Sequence, residues 1–228
     1  MRPVALVTGG TKGIGRAIAA HLAQTHDVAV TWKTTEPQDG HFAIQTDLTT
    51  TEGPQAVIDA VLAEFGRLDT IINNAGLVAI TPVDEASYAV SENMMALNAL
   101  VPGRLLAAAL PVLKRGASIV SISSTNAFSP PEAAVLYGAS KAALNAWTKG
   151  TAKELGPKGI RVNAIAPGAV NIPEAPRPPD VTEGYAQEVA LRRIGAPEDI
   201  AKVVGFLVSD AAGYITGEVI TVSGGWRL

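Results

Sequence analysis

Pro3-Val4-Ala5-Leu6-Val7-Thr8-Gly9-Gly10-Thr11-Lys12-Gly13-Ile14-Gly15-Arg16 is the stretch on which the fold turns. Pro3 to Thr8 is a continuous apolar run of strand length, the type buried on both faces of a parallel sheet. Beyond the glycines, Ala17, Ile18, Ala20, His21 and Leu22 recur at helical spacing. A strand, a glycine turn and a helix in that order allow the backbone to turn tightly and approach a pyrophosphate, whose charge rests on the helix N-terminus. A tight turn with no ligand is the simpler alternative.

Outward from this unit, Val28 to Trp32 reads as a second strand, ending in Thr31-Trp32-Lys33-Thr34-Thr35 with no carboxylate until Glu36. In dinucleotide folds an acid at that point binds the ribose 2′-hydroxyl of NAD, whereas basic groups accept the 2′-phosphate of NADP. Lys12 and Lys33 therefore favour NADP(H) over NAD(H), although either lysine could equally be a surface charge. His41 to Gln45 reads as a third strand, and only Thr34 to Gly40, broken by Pro37, precede it. Parallel neighbours ordinarily need about a dozen connecting residues. A loop of seven residues still spans roughly 23 Å when extended. The expectation is a truncated crossover that leaves one flank of the sheet thinly covered.

The chain of 228 residues is comfortable for one α/β domain with a sizeable core. A net charge of −3 with interspersed signs gives no basic stripe for nucleic acid and no polybasic membrane patch. The lack of cysteine removes disulfides, thiol nucleophiles and zinc thiolates, and His21, His26 and His41 lack ligand spacing, so no metal is expected. No run reaches the length of a membrane span and no leader pattern precedes the first strand, which reads as cytoplasmic.

Further along, Asp47-Leu48 follows the third strand, and a helix is expected from about Pro54 to Phe65, which Asp47 could cap. Thr70 to Ile72 form a strand ending in Asn73-Asn74-Ala75-Gly76, small enough for close backbone approach. A long helical region from Val83 to about Leu113 contains Asn98 and the pair Pro102-Gly103, which is expected to kink it. Ser118 to Ser123 is a strand running into hydroxyls, and a helix beginning near Tyr137 continues to Gly156-Pro157. Arg161 to Ala166 is a strand leading into Pro167-Gly168-Ala169-Val170-Asn171. A proline-dense segment, a short helix from Val181 to Ala190, a helix from Pro197 to about Val208 and a last strand from Val219 to Val222 complete the chain.

Tyr137 and Lys141 are four apart on one helix. At about 100° per residue they differ by roughly 40° and share a face. Ionising a phenol near neutrality requires about 4 kcal/mol, or some three pKa units below its usual value of about 10. One cation about 4 Å away at an effective dielectric near 20 supplies that much.

Together the glycine turn, Asn-Asn-Ala-Gly, Ser124 and Tyr137-Gly-Ala-Ser-Lys141 resemble the short-chain dehydrogenase/reductase family, nearly from end to end. Its 3-oxoacyl-acyl-carrier-protein reductase-like members are the most similar by pattern, through Tyr137 to Lys141 and the ending Tyr214 to Gly225. The resemblance implies a single α/β domain of Rossmann type, a doubly wound parallel sheet of about seven strands spanning residues 1–228. It implies an NADP(H)-dependent enzyme that moves a hydride between nicotinamide and a carbonyl or secondary alcohol, including a 3-oxoacyl thioester on a carrier.

On the matching positions, Tyr137 becomes the proton donor, Lys141 lowers its pKa and holds the nicotinamide ribose, Ser124 bonds the substrate oxygen, and Asn98 orders a relay water. The cofactor contacts become Gly9, Thr11, Lys12, Gly13, Ile14 and Gly15, then Lys33, Asp47 and Leu48. Asn74, Ala75, Gly76, Tyr137, Lys141, Pro167, Gly168 and Val170 complete the set. Residues 171–195 become the substrate lid, with a stiff surface loop as the alternative. The paired long helices imply a homodimer or homotetramer, although core packing also explains their composition. A dinucleotide-sensing regulator without catalysis and an epimerase using the same tyrosine are the alternatives in function.

Overall fold

The computed structural model describes residues 2–84 and 87–226. In chain order it builds β1 (Val4–Val7), α1 (Gly13–Leu22), β2 (Asp27–Trp32), β3 (Phe42–Gln45), α2 (Gly53–Phe65) and β4 (Thr70–Asn73). After these come α3 (Tyr88–Met95), α4 (Val101–Ala109), β5 (Ser118–Ile122), α5 (Val135–Leu155) and β6 (Arg161–Pro167). The chain closes with α6 (Pro179–Glu188), α7 (Pro197–Val208) and β7 (Val219–Val222). All strand pairings are parallel, in the order β3-β2-β1-β4-β5-β6-β7. The expected doubly wound sheet of seven strands is thus present. The chain winds outward from β1 to β3 and then restarts on the other side of β1 with β4. That reversal opens a crevice at the carboxyl ends of β1 and β4.

The unbroken apolar run of β1 follows from this position. Val4 and Leu6 face the core beneath α2, α4 and α5, whereas Ala5 and Val7 face the core beneath α1 and α7. Successive side chains of a strand point to opposite faces, so a strand covered on both sides has no polar face to present.

Two features depart from the expected plan. Between Trp32 and Phe42 there is no helix, yet β3 pairs with β2 in parallel register, Ala29 opposite Phe42 and Trp32 opposite Gln45. One side of β3 is covered by Phe42 packed edge-on against Phe65 of α2, with ring centres 5.6 Å apart. On the flank where a crossover helix would lie, a cleft of about 370 Å³ opens between Arg16 and Ala20 of α1 and Asp39 and His41 of the loop.

The second departure is the long helix. It begins at Tyr88 rather than Val83, and Glu85 and Ala86 of the expected span lie outside the described residues. α3 passes into α4 through one π turn, Ala96–Leu100, in which the Val101 amide bonds the Ala96 carbonyl. Pro102 has no N–H to give the Asn98 carbonyl four residues back, so the helix widens there instead of breaking.

Candidate active site

The glycine turn is shaped by β4 as much as by its own sequence. Thr8 Oγ1 donates to the Ile72 carbonyl at 3.1 Å and accepts from the amides of Asn74 and Ala75, each at 3.0 Å. Asn74 Nδ2 returns to the carbonyls of Thr8 and Gly9 at 2.9 and 3.0 Å. A side chain on Gly15 would begin 2.2 Å from the Gly9 oxygen and 2.4 Å from Asn74 Nδ2, so only glycine lets α1 start this close to the strand end. Asn74 is therefore a strut of the turn. Thr8, quoted in the motif but given no role from sequence, is its hub.

A cleft of about 430 Å³ runs along this turn. Gly9, Thr11, Lys12, Gly13, Ile14 and Gly15 form one wall, Lys33, Asp47 and Leu48 one end, and Asn74, Ala75 and Gly76 the other wall. At its far end Lys33 Nζ pairs with Asp47 Oδ2 at 2.6 Å. Asp47 Oδ1 also accepts from the Thr49 amide and hydroxyl. The lysine first, then Thr49, hold its carboxyl at about 2. Asp47 thus organises a turn ahead of α2 and does not cap the helix, whose first residue is Gly53.

A second cleft, of about 480 Å³, holds Ser124, Tyr137 and Gly168. The choice among the three hydroxyls follows strand alternation. Ser123 turns inward and donates to Asn145 Oδ1 at 2.6 Å, whereas Ser124 faces the cleft that Tyr137 also lines. Thr125 also lines this cleft, from the turn that follows. Gly138 admits the loop that brings α5 against Ser124, because a methyl there would come 2.6 Å from Pro130 and 2.7 Å from the Asn126 carbonyl.

Lys141 lies one turn further into α5, 5 % exposed, its Nζ donating to the Ile122 carbonyl at 2.8 Å and lying 5.9 Å from the Tyr137 ring centre. Burial pulls its pKa down to about 8. Burial also pushes the Tyr137 phenol up, and the neighbouring Ser124 hydroxyl only partly opposes it. The spacing argument expected a lowered phenol; it set the separation of the two groups but not the depth at which both are held.

Asn98 has its amide committed. Its Oδ1 accepts from the Leu77 amide at 2.8 Å, and its Nδ2 donates to the Leu77 carbonyl at 2.9 Å and to Ser140 Oγ at 3.0 Å. Ser140 in turn donates to the Tyr137 carbonyl at 2.7 Å, a link that sequence reasoning missed. A free side chain to hold a water is thus not what Asn98 offers. The group that Pro102 deprives of its ordinary helical donor is the Asn98 backbone carbonyl. Pro167 ends β6 and Gly168 follows it, bonded through its amide to the Val222 carbonyl. Val170 faces a smaller cleft beside Gly195.

The segment from Asn171 reaches both clefts. Ile172 packs on Gly13, and Glu174 Oε2 accepts from the Gly13 amide at 3.3 Å while Oε1 pairs with Arg16 at 3.0 Å. An anionic oxygen is therefore already seated at the α1 N-terminus, which shows that these donors suit a pyrophosphate. With the glycine turn and the 430 Å³ cleft, the residues present fit a dinucleotide. Further on, Arg177 and Tyr185 line the cleft of Ser124 and Tyr137. No group of His, Cys, Asp and Glu among the described residues could hold a metal, and no helix among them is long and apolar enough to cross a membrane.

The family model described as Enoyl-(Acyl carrier protein) reductase matches residues 9–227. An uncharacterized oxidoreductase of Methylorubrum extorquens is 37% identical over 98% of this chain and 97% of its own. The 3-oxoacyl-[acyl-carrier-protein] reductase of Aquifex aeolicus is 33% identical over 97% of this chain and 96% of its own. A short chain dehydrogenase from Burkholderia cenocepacia, solved in complex with NADP, superimposes with a TM-score of 0.91 at 32% identity, covering 99% of this chain and 98% of that one.

Proposed function

This chain belongs to the short-chain dehydrogenase/reductase family of NAD(P)-dependent oxidoreductases, and we propose that it reduces a ketone or aldehyde to the alcohol with NADPH. The observation that carries the reading is that Ser124 and Tyr137 line one open cleft, with the Lys141 ammonium buried behind, 5.9 Å from the Tyr137 ring centre. A nicotinamide cofactor held in the cleft of Gly9, Gly13, Gly15 and Asn74 would supply the hydride for the carbonyl carbon.

Tyr137 gives its proton to the carbonyl oxygen, on which charge develops, and Ser124 donates a hydrogen bond to the same oxygen. A phenol pushed up by burial is protonated at neutral pH, which suits a proton donor and so the reductive direction. Lys141, pulled down to about 8, exchanges protons near neutrality far more readily than an ordinary lysine and replaces the one that Tyr137 gives up. The Asn98 carbonyl is the acceptor for a water on that route. Ser140 and Leu77 fix the helix turn that carries it.

NADPH is preferred to NADH because β2 ends without a carboxylate and Lys12, Lys33, Thr34 and Thr35 line the adenosine end. Lys33 already neutralises Asp47, so Lys12 carries more of that preference than the sequence reading gave it. Residues 171–195 act as the lid of a single domain. Val90 and Leu100 stay exposed along the α3 helix and its π turn, and Val135 does so at the start of α5, which supports pairing of these helices between copies of the chain in a homodimer or homotetramer.

The test is a panel of ketones, aldehydes and 3-oxoacyl thioesters with NADPH and NADH. Turnover of at least one carbonyl, faster with NADPH and lost in Tyr137→Phe, is the expected result. Tight dinucleotide binding with no turnover on any carbonyl would point to a sensor, and product isomerised without net cofactor consumption to an epimerase.

A further inference from the structure

The cleft beside Ser124 and Tyr137 holds a cation that the described residues do not answer with an anion. Arg177 is half-buried in the lid, and its Nη1 donates to the Val170 carbonyl at 2.6 Å and to Asn171 Oδ1 at 3.3 Å, both uncharged. Its guanidinium carbon stands 5.5 Å from the centre of the Tyr185 ring, within range of a cation–π contact. Among the described residues it forms no ion pair, and Nε and Nη2 have no protein acceptor. A guanidinium has five N–H donors, so three of Arg177's are left for a ligand. The carboxylate in the same cleft, Glu188, accepts from the indole of Trp226 at 3.0 Å.

A guanidinium stacked on one face and anchored by one nitrogen keeps an edge whose geometry matches a carboxylate, which it can take with two parallel hydrogen bonds. The cleft, of about 480 Å³, has room for a small molecule. We propose that Arg177 determines specificity and that the substrate is a small oxo acid, its carboxylate on Arg177 and its oxo group between Ser124 and Tyr137. This rests on the reductase reading above and narrows it from carbonyl compounds to anionic ones. In the reduction the carboxylate is a spectator: the hydride reaches the oxo carbon, the Tyr137 proton reaches the oxo oxygen, and the product is the hydroxy acid.

The experiment takes the full chain, with NADPH and with NADH, through the 2-, 3- and 4-oxopentanoates and their methyl esters, as wild type, Arg177→Met and Arg177→Lys. The wild type is expected to favour at least one acid over its ester. Arg177→Met then raises KM for that acid by roughly ten- to hundredfold with kcat nearly kept. The esters are little affected, and Arg177→Lys recovers part of the loss. A wild type that prefers the esters, or an Arg177→Met variant that loses acids and esters alike, overturns the proposal and leaves Arg177 as a strut of its own loop.

If no compound of either series turns over, the reductase reading fails on these substrates. The arginine is then read by calorimetric titration of the same acids into protein saturated with NADP⁺. Binding weakened at least about tenfold in Arg177→Met supports the carboxylate site, whereas equal affinity, or none in the wild type, overturns it. Unchanged NADP⁺ affinity of the variant shows that the fold is intact.

Discussion

The two sides of the cleft that holds Tyr137 are built differently. On the β5–α5 side buried polar groups are tied across elements: Lys141 bonds the end of β5, Ser140 bonds Asn98, and Ser123 bonds Asn145. On the side of the proposed lid, Arg177 is tied mainly to its own loop, and Glu174 reaches the N-terminus of α1. A buried, fully partnered network holds its groups in one arrangement. A proline-rich surface segment with charged tips can change its contacts at little cost. The proposed function assigns proton chemistry to the first side and discrimination between substrates to the second.

The sharpest way to break that division is Tyr137→Phe. If no lid residue can supply the proton, kcat/KM falls by roughly a hundred- to ten-thousandfold, while NADPH affinity, measured by fluorescence titration, stays near wild type. Substantial remaining turnover would mean that the other side contributes an acid.

Lys141→Met is the next largest. Lys141 has a folded-state pKa of about 8, below the roughly 10.4 of an unfolded lysine. Between these values the unfolded chain holds the proton and the folded chain has lost it, so wild-type stability should rise with pH from about 8 to 10.4. Below pH 8 both states hold the proton, and the cost of burying it, about 3 kcal/mol, is fully present. Met removes that cost and also the bond to Ile122, worth about 1 kcal/mol. Urea unfolding at pH 7 should therefore show the variant more stable by about 2 kcal/mol, and the rise towards pH 10 should vanish while turnover collapses. A variant less stable than wild type at pH 7 would show that the buried ammonium supports the fold.

Ser140→Ala tests whether the network positions Tyr137. It leaves Tyr137 chemically intact but cuts its tie to Asn98, so a drop of about tenfold in kcat with KM kept, and roughly 1–2 kcal/mol lost in unfolding, is expected. An unchanged kcat beside the lost stability would mean that the link is structural only.

Most of the scaffold was legible because its signals are local. The apolar run of β1 and the glycines of the turn speak through neighbours in sequence, and the short loop after Lys33 could be read from its length. What escaped was non-local. Glu174 meets Gly13 across 161 residues of chain, and no periodicity marks such a contact. Asn98 was found by its place in a pattern, but the use of its amide depended on where Leu77 and Ser140 arrive. The direction of the Tyr137 shift escaped for a related reason: four residues of spacing state who is adjacent, not how much water is excluded around them.

The smallest effect tests the lid where it meets the cofactor cleft. Glu174 places a carboxylate on the Gly13 amide and beside Arg16, the position that a pyrophosphate needs. The dinucleotide must displace this carboxylate or lie against it, and a second anion there is repelled. The Arg16 pair is about one-third exposed on each side, so its rupture costs at most about 1 kcal/mol. Glu174→Gln keeps the size and an oxygen for the Gly13 amide and removes only the charge. NADPH should therefore bind roughly three- to fivefold more tightly, with the gain shrinking at high salt. Tyr137-dependent turnover at saturating cofactor should not change. Weaker binding in the glutamine variant would reverse the comparison, because the lid would then be a wall of the nucleotide cleft, as fixed in place as the helix that bears Tyr137.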